Sequence, residues 1–386
     1  MERIRGVDVA PGLAVLGMMS AHVGVAGPEL WSTDGWLGIA DGRSAALFAV
    51  LAGVSIALLS GGPVPPEGVA AGRARVRVLV RGAVLLLLGT VLTALGTPIA
   101  VILPSYGVLF ALTLPALRLP PAALATLAAA VAVGGPALCF PLVSALTAAG
   151  NPPTGLLDLL IDGYYPAMIW MAYVLTGLAV GRSDLRSGRL RGRLLVTGVV
   201  LAVVGYGGGV VGTALAAGQP ASVLAFLSVE PHADSTVEVT GNIGVALVVL
   251  VACLWAGDRW PRVVAPLAAT GALALTAYCT HIVVIAFLGP EVVRQPRVGV
   301  HIAFLVVTVV LATAWRSLLG RGPLERGLHE VSTRVAAMVV EQAPPAGSDA
   351  AGPGGPGASG GPGGSGGSGS AQGQTSSRVQ PSSERR

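Results

Sequence analysis

The chain has 386 residues, 53% hydrophobic and 11% charged, with a mean hydropathy of +0.74 and a formal net charge of +5. A soluble domain needs about 25% charged residues to cover its surface, so a soluble globule is excluded. Apolar stretches of about 20 residues recur, each enough to cross a hydrocarbon core of about 30 Å, and the short alternating segments of a membrane barrel are absent from the sequence. The expected class is an all-α, polytopic membrane protein.

In chain order, about ten spanning helices are expected. The first covers about 7–27 and is read as a spanning helix rather than a signal peptide, since no secreted domain follows. A polar stretch with Trp31, Asp34 and Trp36 leads to the second, 44–60. GGPVPPEG then breaks the chain, and Arg73, Arg75, Arg77 and Arg81 are expected in a basic loop. The third covers 82–100, the fourth, a short one, 104–117, and the fifth 122–146. The sixth is YYPAMIWMAYVLTGLAVG and the seventh covers 194–216. The long loop PASVLAFLSVEPHADSTVEV precedes the eighth, 240–256, which is followed by a ninth at 264–289 and a tenth at 299–316.

Ten spans put both termini on one side. That side carries eighteen Arg outside the last 44 residues, against Arg43, Arg294 and Arg297 opposite, so the positive-inside rule makes the termini cytoplasmic. All 24 basic residues are Arg, which points to a GC-rich, bacterial source. The positive balance reads as topology, not as a nucleic-acid partner. Residues 343–386, almost entirely Gly, Pro and Ser, bury too little to order and are expected to be a disordered cytoplasmic tail after a membrane domain at 1–342. The location expected is the plasma membrane.

His22 is the first candidate for chemistry. About 1.5 Å per residue places it roughly 22 Å along the first helix, and an ionisable group at that depth is a functional candidate. Imidazole is the usual proton carrier near neutral pH; the structural alternative is a neutral His bonded to a neighbouring helix. Asp41 and Arg43 stand one loop away, where the carboxylate would orient His22 and the guanidinium would hold an anionic group; otherwise they anchor the helix end. Trp36, with Trp31, either stacks on a sugar or belongs to the interfacial belt. Arg5 and Asp8 are three apart, as in a helical ion pair; alternatively Arg5 meets a phosphate-bearing donor. His281 falls at the depth of His22, and the two, with Tyr278 one turn below, would line one cavity; the alternative is separate helix-packing hydrogen bonds. His232, His301 and His329 receive no role. Scattered His with no spaced partners make a poor metal site, and Cys139, Cys253 and Cys279 form neither a disulfide framework nor a metal set.

The chain resembles the heparan-α-glucosaminide N-acetyltransferase-like membrane acyltransferases, and its later part resembles the bacterial domain of unknown function 418. The segments that carry the likeness are VDVAPGLAVLGMMSAH, DGRSAALFAVLAGVSIAL, PSYGVLFAL, GYYPAMIWMAYVLTGLAVGR, EVTGNIGVALVVL, GALALTAYCTHIVV and GRGPLER. The resemblance implies acyl transfer from cytoplasmic acyl-CoA, acetyl-CoA above all, to a hydroxyl or amine of an envelope glycan or lipid-linked sugar, with no bound cofactor. His22 and Asp41 would be catalytic; Arg5, Asp8, Trp36, Arg43, Tyr106, Tyr278 and His281 would bind. Related enzymes carry an Arg eleven residues before the first-helix His; Pro11 stands there. Their reactive loop His has its nearest counterpart at Trp31. The alternative is a catalytically silent lipid or glycan carrier, or an assembly partner.

Overall fold

The computed structural model describes residues 5–24 and 35–341, among which every regular element is helical. The 343–386 tail and Trp31 fall outside them. Seven helices are long and apolar enough to cross a membrane, or eight if one bent pair counts as a single span. They include α1 (Arg5–Val23), α2 (Arg43–Leu59), α3 (Gly68–Thr93) and α5 (Pro121–Ala148). Between the last two lies α4 (Leu103–Leu112). Then follow α6 (Ala167–Gly181), α7 (Gly188–Leu215, with a π turn at Val203–Gly207) and α8 (Thr236–Arg259). The bent pair is α9 (Ala265–Ala272) and α10 (Ala274–Leu288), followed by α11 (Val298–Leu318) and α12 (Pro323–Glu341).

All ten expected spans have a helical counterpart, but three are not simple spans. α4 and α6, at 10 and 15 residues, reach only about 15 and 22 Å. The expected ninth span is broken at Leu273 and bent by 77°. The break is stabilised from outside: the Glu325 carboxylate accepts from the Thr276 N–H at 2.9 Å and from the Thr276 hydroxyl at 2.6 Å. It thereby caps a helix start that would otherwise leave bare donors. The four Arg placed in a loop lie instead on α3, which begins just after Pro65 and Pro66. Arg is a good helix former, so nothing local stops the helix before Gly68. The amphipathic α12, which no apolar run announced, packs on α3 and α10.

Close approach without a polar core is achieved by small residues, as membrane helix pairs require. A side chain at Gly53 or Gly177 would strike the backbone of the facing helix, and one at Gly181 would meet Ala57 and Val54. α2 and α6 thus pack backbone to backbone, and Trp170, Tyr173 and Leu175 of α6 are fully buried. α1 meets α8 at Gly6 and α9 at Gly12 through the same device. At the Gly6 end, the buried Arg182 guanidinium donates to the carbonyls of Ala57, Ser60, Gly62 and Leu117, closing the end of α2. Gly177→Val overpacks this seam and should lower stability by about 2 kcal/mol or more, read as a lower unfolding midpoint in detergent.

Candidate functional site

The His22 end of α1 meets α10, α11 and the segment entering α8. His22 Nδ1 lies 2.9 Å from His281 Nε2, with the rings nearly parallel and 5.2 Å between centroids. One imidazole must donate and the other accept in such a contact. Below them the Tyr278 ring stands edge-on to His281 at 5.1 Å, and its hydroxyl accepts from the Ile102 N–H at 3.2 Å. Phe48 lies between Tyr278 and Tyr106. Both tyrosines are fully buried, so they support the wall behind the histidines rather than face an opening. Two residues back along α1, Ser20 Oγ is 2.9 Å from His301 Nε2, which ties α11 to the same end.

A second cluster forms where the 228–235 segment enters α8. Glu238 accepts the His232 N–H at 3.0 Å on one oxygen and the Asp234 N–H at 2.7 Å on the other, and Asn242 Nδ2 also donates to it. His232 (φ 61) and Asp234 (φ 52) are the non-glycine residues with positive φ among the described residues. Such strain persists only where the surroundings over-determine it, and it gathers at functional sites. The turn it creates brings His232 Nε2 to 3.7 Å from Asp41 Oδ1. The His232 ring lies parallel to Trp170 and in contact with Tyr164 and Tyr165. Trp170 Nε1 donates to Asp234 Oδ1 at 2.8 Å. Burial pushes Asp234 well above the usual carboxylate range, with the Glu238 charge adding to it. Burial also lowers the His232 pKa, against the opposing pull of Asp41. Its imidazole is therefore neutral at pH 7, the form a general base requires.

Asp41 thus serves His232, not His22 as expected; His22 takes its partner from α10. Gly42 (φ 67) turns the chain here, and a side chain on it would press on Pro231. Arg43 lies 4.7 Å above the Tyr206 ring, whose hydroxyl reaches Asn242 Oδ1 at 2.5 Å, and Asn242 in turn donates to Glu238. Asp8 lies about 21 Å from His22 along α1 and cannot join its chemistry. The side chains of Arg5 and Trp36 lie outside the described residues. Among the described residues no group of three His, Cys, Asp or Glu is placed to hold a metal ion. Sequence reasoning missed His232, Asp234 and Glu238. The signal was present as the capping box Ser235–Glu238, which the structure forms in part: Ser235 Oγ accepts from the Glu238 N–H at 3.0 Å.

The model of the family described as "Heparan-alpha-glucosaminide N-acetyltransferase, catalytic" matches residues 3–205. The chain belongs to this family. It is a family of membrane acetyltransferases that use acetyl-CoA, in keeping with the membrane-spanning helices found here. A second model, "Protein of unknown function (DUF418)", matches residues 186–334. No curated protein matches the chain. The His22–His281 and Asp41–His232 contacts each cross between the two regions: His22 and Asp41 belong to the first, His281 and His232 to the second.

Two predictions follow from the Glu238 cluster. Glu238→Ala strands two backbone N–H groups and should cost about 2–4 kcal/mol, seen as a lower unfolding midpoint. His232, lowered in the fold, holds fewer protons than in the unfolded chain below about pH 6.5, so its contribution is intact above that pH and lost as pH falls. His232→Gln should therefore shrink the loss of stability between pH 7 and pH 5 in thermal unfolding curves.

Proposed function

We propose that this chain is an integral-membrane acyltransferase of the plasma membrane. It moves an acyl group, acetyl by its family, from cytoplasmic acyl-CoA to a hydroxyl or amine of a cell-envelope glycan or lipid-linked sugar. The observation that carries this reading is the His22–His281 pair at 2.9 Å. Two imidazoles in contact accept and pass on a proton without a net charge being created far from a partner. In the proposed reaction the acceptor O–H or N–H gives its proton to His22 as the acceptor attacks the thioester carbonyl. The tetrahedral intermediate then expels the coenzyme A thiolate, which takes the proton back from the pair. His281 steadies the imidazolium in between.

His232, turned onto Asp41 beside Trp170 and Tyr164, supplies a stacking and hydrogen-bonding face for the acceptor ring. Arg43 supplies a cation for an anionic acceptor. The eighteen-to-three distribution of Arg expected from the sequence supports termini on the cytoplasmic side. A second reading, a catalytically silent carrier or assembly partner, draws on Pro11, which stands inside α1 where related enzymes have a cation.

The test is acyl transfer from labelled acetyl-CoA into envelope glycans and lipids by membranes bearing the chain, with products identified by mass spectrometry. His22→Ala and His281→Ala should each lower transfer by about 10²-fold or more. Wild-type rates in His22→Ala would end the mechanism, and no transfer from any acyl-CoA by the unaltered chain would favour the silent carrier.

A further inference from the structure

Four basic groups converge at the Gly6 end of the bundle, away from the histidines, where α12 lies along α3. Arg77 and Arg81 stand one turn apart on α3, within a helix apolar enough to span. Arg321 precedes α12 and His329 lies on it. The guanidiniums of Arg321, Arg81 and Arg77 all act on His329 and, after burial, lower its pKa, while Glu330 opposes them. Arg81 Nε donates to the buried Ser332 Oγ at 3.4 Å. Arg77 Nε is buried and has no hydrogen-bond partner among the described residues. Among the described α12 carboxylates, Glu325 sits on Thr276 and Glu330 pairs with Arg334 at 3.5 Å. Like charges at i and i+4 repel, and Arg at membrane depth is costly unless paired. An anion offsets both costs.

A cavity of about 490 Å³ opens between α10 and α11, and Pro323 at the start of α12 lines it. Ala277, Phe304 and Leu311 wall it, His281 lines one end, and Trp315 and Pro323 line the other. Trp315 Nε1 donates to the Arg321 carbonyl at 3.1 Å, which joins that end to the basic cluster. From Phe304 to Trp315 the groove runs about 16 Å along α11, the depth of one leaflet of a core of about 30 Å. The flank of α11 beside it, Val306 and Val310, is exposed, as a lipid-facing surface is.

We propose that the cluster and groove together bind one anionic phospholipid. Its phosphate sits on Arg77, Arg81 and Arg321 beside His329, and one acyl chain fills the groove towards His281. Charge selects the head and groove length selects the chain, as for basic pockets between membrane helices that hold lipid head groups. The assignment stands whether or not the chain transfers acyl groups.

The purified full chain in detergent is titrated with dioleoyl phosphatidylglycerol, dioleoyl phosphatidylcholine and coenzyme A, and the unfolding midpoint is followed. Phosphatidylglycerol should raise the midpoint well beyond phosphatidylcholine. Arg81→Gln with Arg321→Gln should raise the lipid concentration needed on the order of tenfold. Arg321→Gln alone, at an exposed position, should raise it severalfold and serves if the pair fails to fold. Ala303→Trp, which fills the groove, should weaken the response as well. Equal responses to the two lipids, a response unchanged in Arg321→Gln or in Ala303→Trp, or a shift given by coenzyme A and not by phosphatidylglycerol would each overturn the assignment.

Discussion

The Glu238 carboxylate is the constraint on which the rest of the His22 end depends. It sits in the first turn of α8, where a negative charge is favoured by the helix dipole. It also gathers two backbone N–H groups that no helix or strand could satisfy. Without it, His232 and Asp234 would relax out of their positive-φ conformations, which cost of order 1–3 kcal/mol each. The His232 ring would then leave Asp41 and the Trp170 face. One buried acceptor therefore converts a strained turn into a fixed imidazole.

The histidine pair depends on a different constraint. α9 docks on α1 through Gly12 and Gly271, where a side chain at either would strike the other helix's backbone. α10 must then leave α9 at a sharp angle, and the bend of 77° leaves the first N–H groups of α10 without helical carbonyls. Glu325 of α12 fills that start through both oxygens. The position of His281, two turns further on, is thus set by a carboxylate outside the spans and by glycines near the opposite end of α1. Small residues and one remote acid do the positioning that a longer, straight helix would have left to chance.

Much of this was legible in the residues, and the reasons are physical. Hydropathy reports burial in lipid or protein without distinguishing them, so ten apolar elements were visible while the short α4 and α6 passed for spans. Equal depth along two helices brought His22 and His281 to one level, because rise per residue is fixed. Depth does not give azimuth, so the turn of Asp41 towards His232 was not visible. The segment EPHADSTVE hid its role because a turn held by a carboxylate three residues into the next helix has no apolar period to betray it. α12 was missed for the complementary reason: its apolar residues form a stripe, not a run, and an amphipathic helix lying on a bundle lacks a spanning signal.

The division between the two matched regions bears on how such a site works. Residues 3–205 hold His22, Asp41, Trp170 and Phe48, while His281, His232, Asp234 and Tyr278 all lie beyond them. Each of the first set touches a member of the second: His22 with His281, Asp41 with His232, Trp170 with Asp234, and Phe48 with Tyr278. Neither region alone contains the His22–His281 pair or the Asp41–His232 contact. The later region therefore does more than add scaffold. It supplies the second ring of the His22–His281 contact and the imidazole that Asp41 faces. Any change in how α8 or α10 packs on α1 and α2 would act on both contacts at once, since a 1 Å displacement is enough to break a hydrogen bond of 2.9 Å.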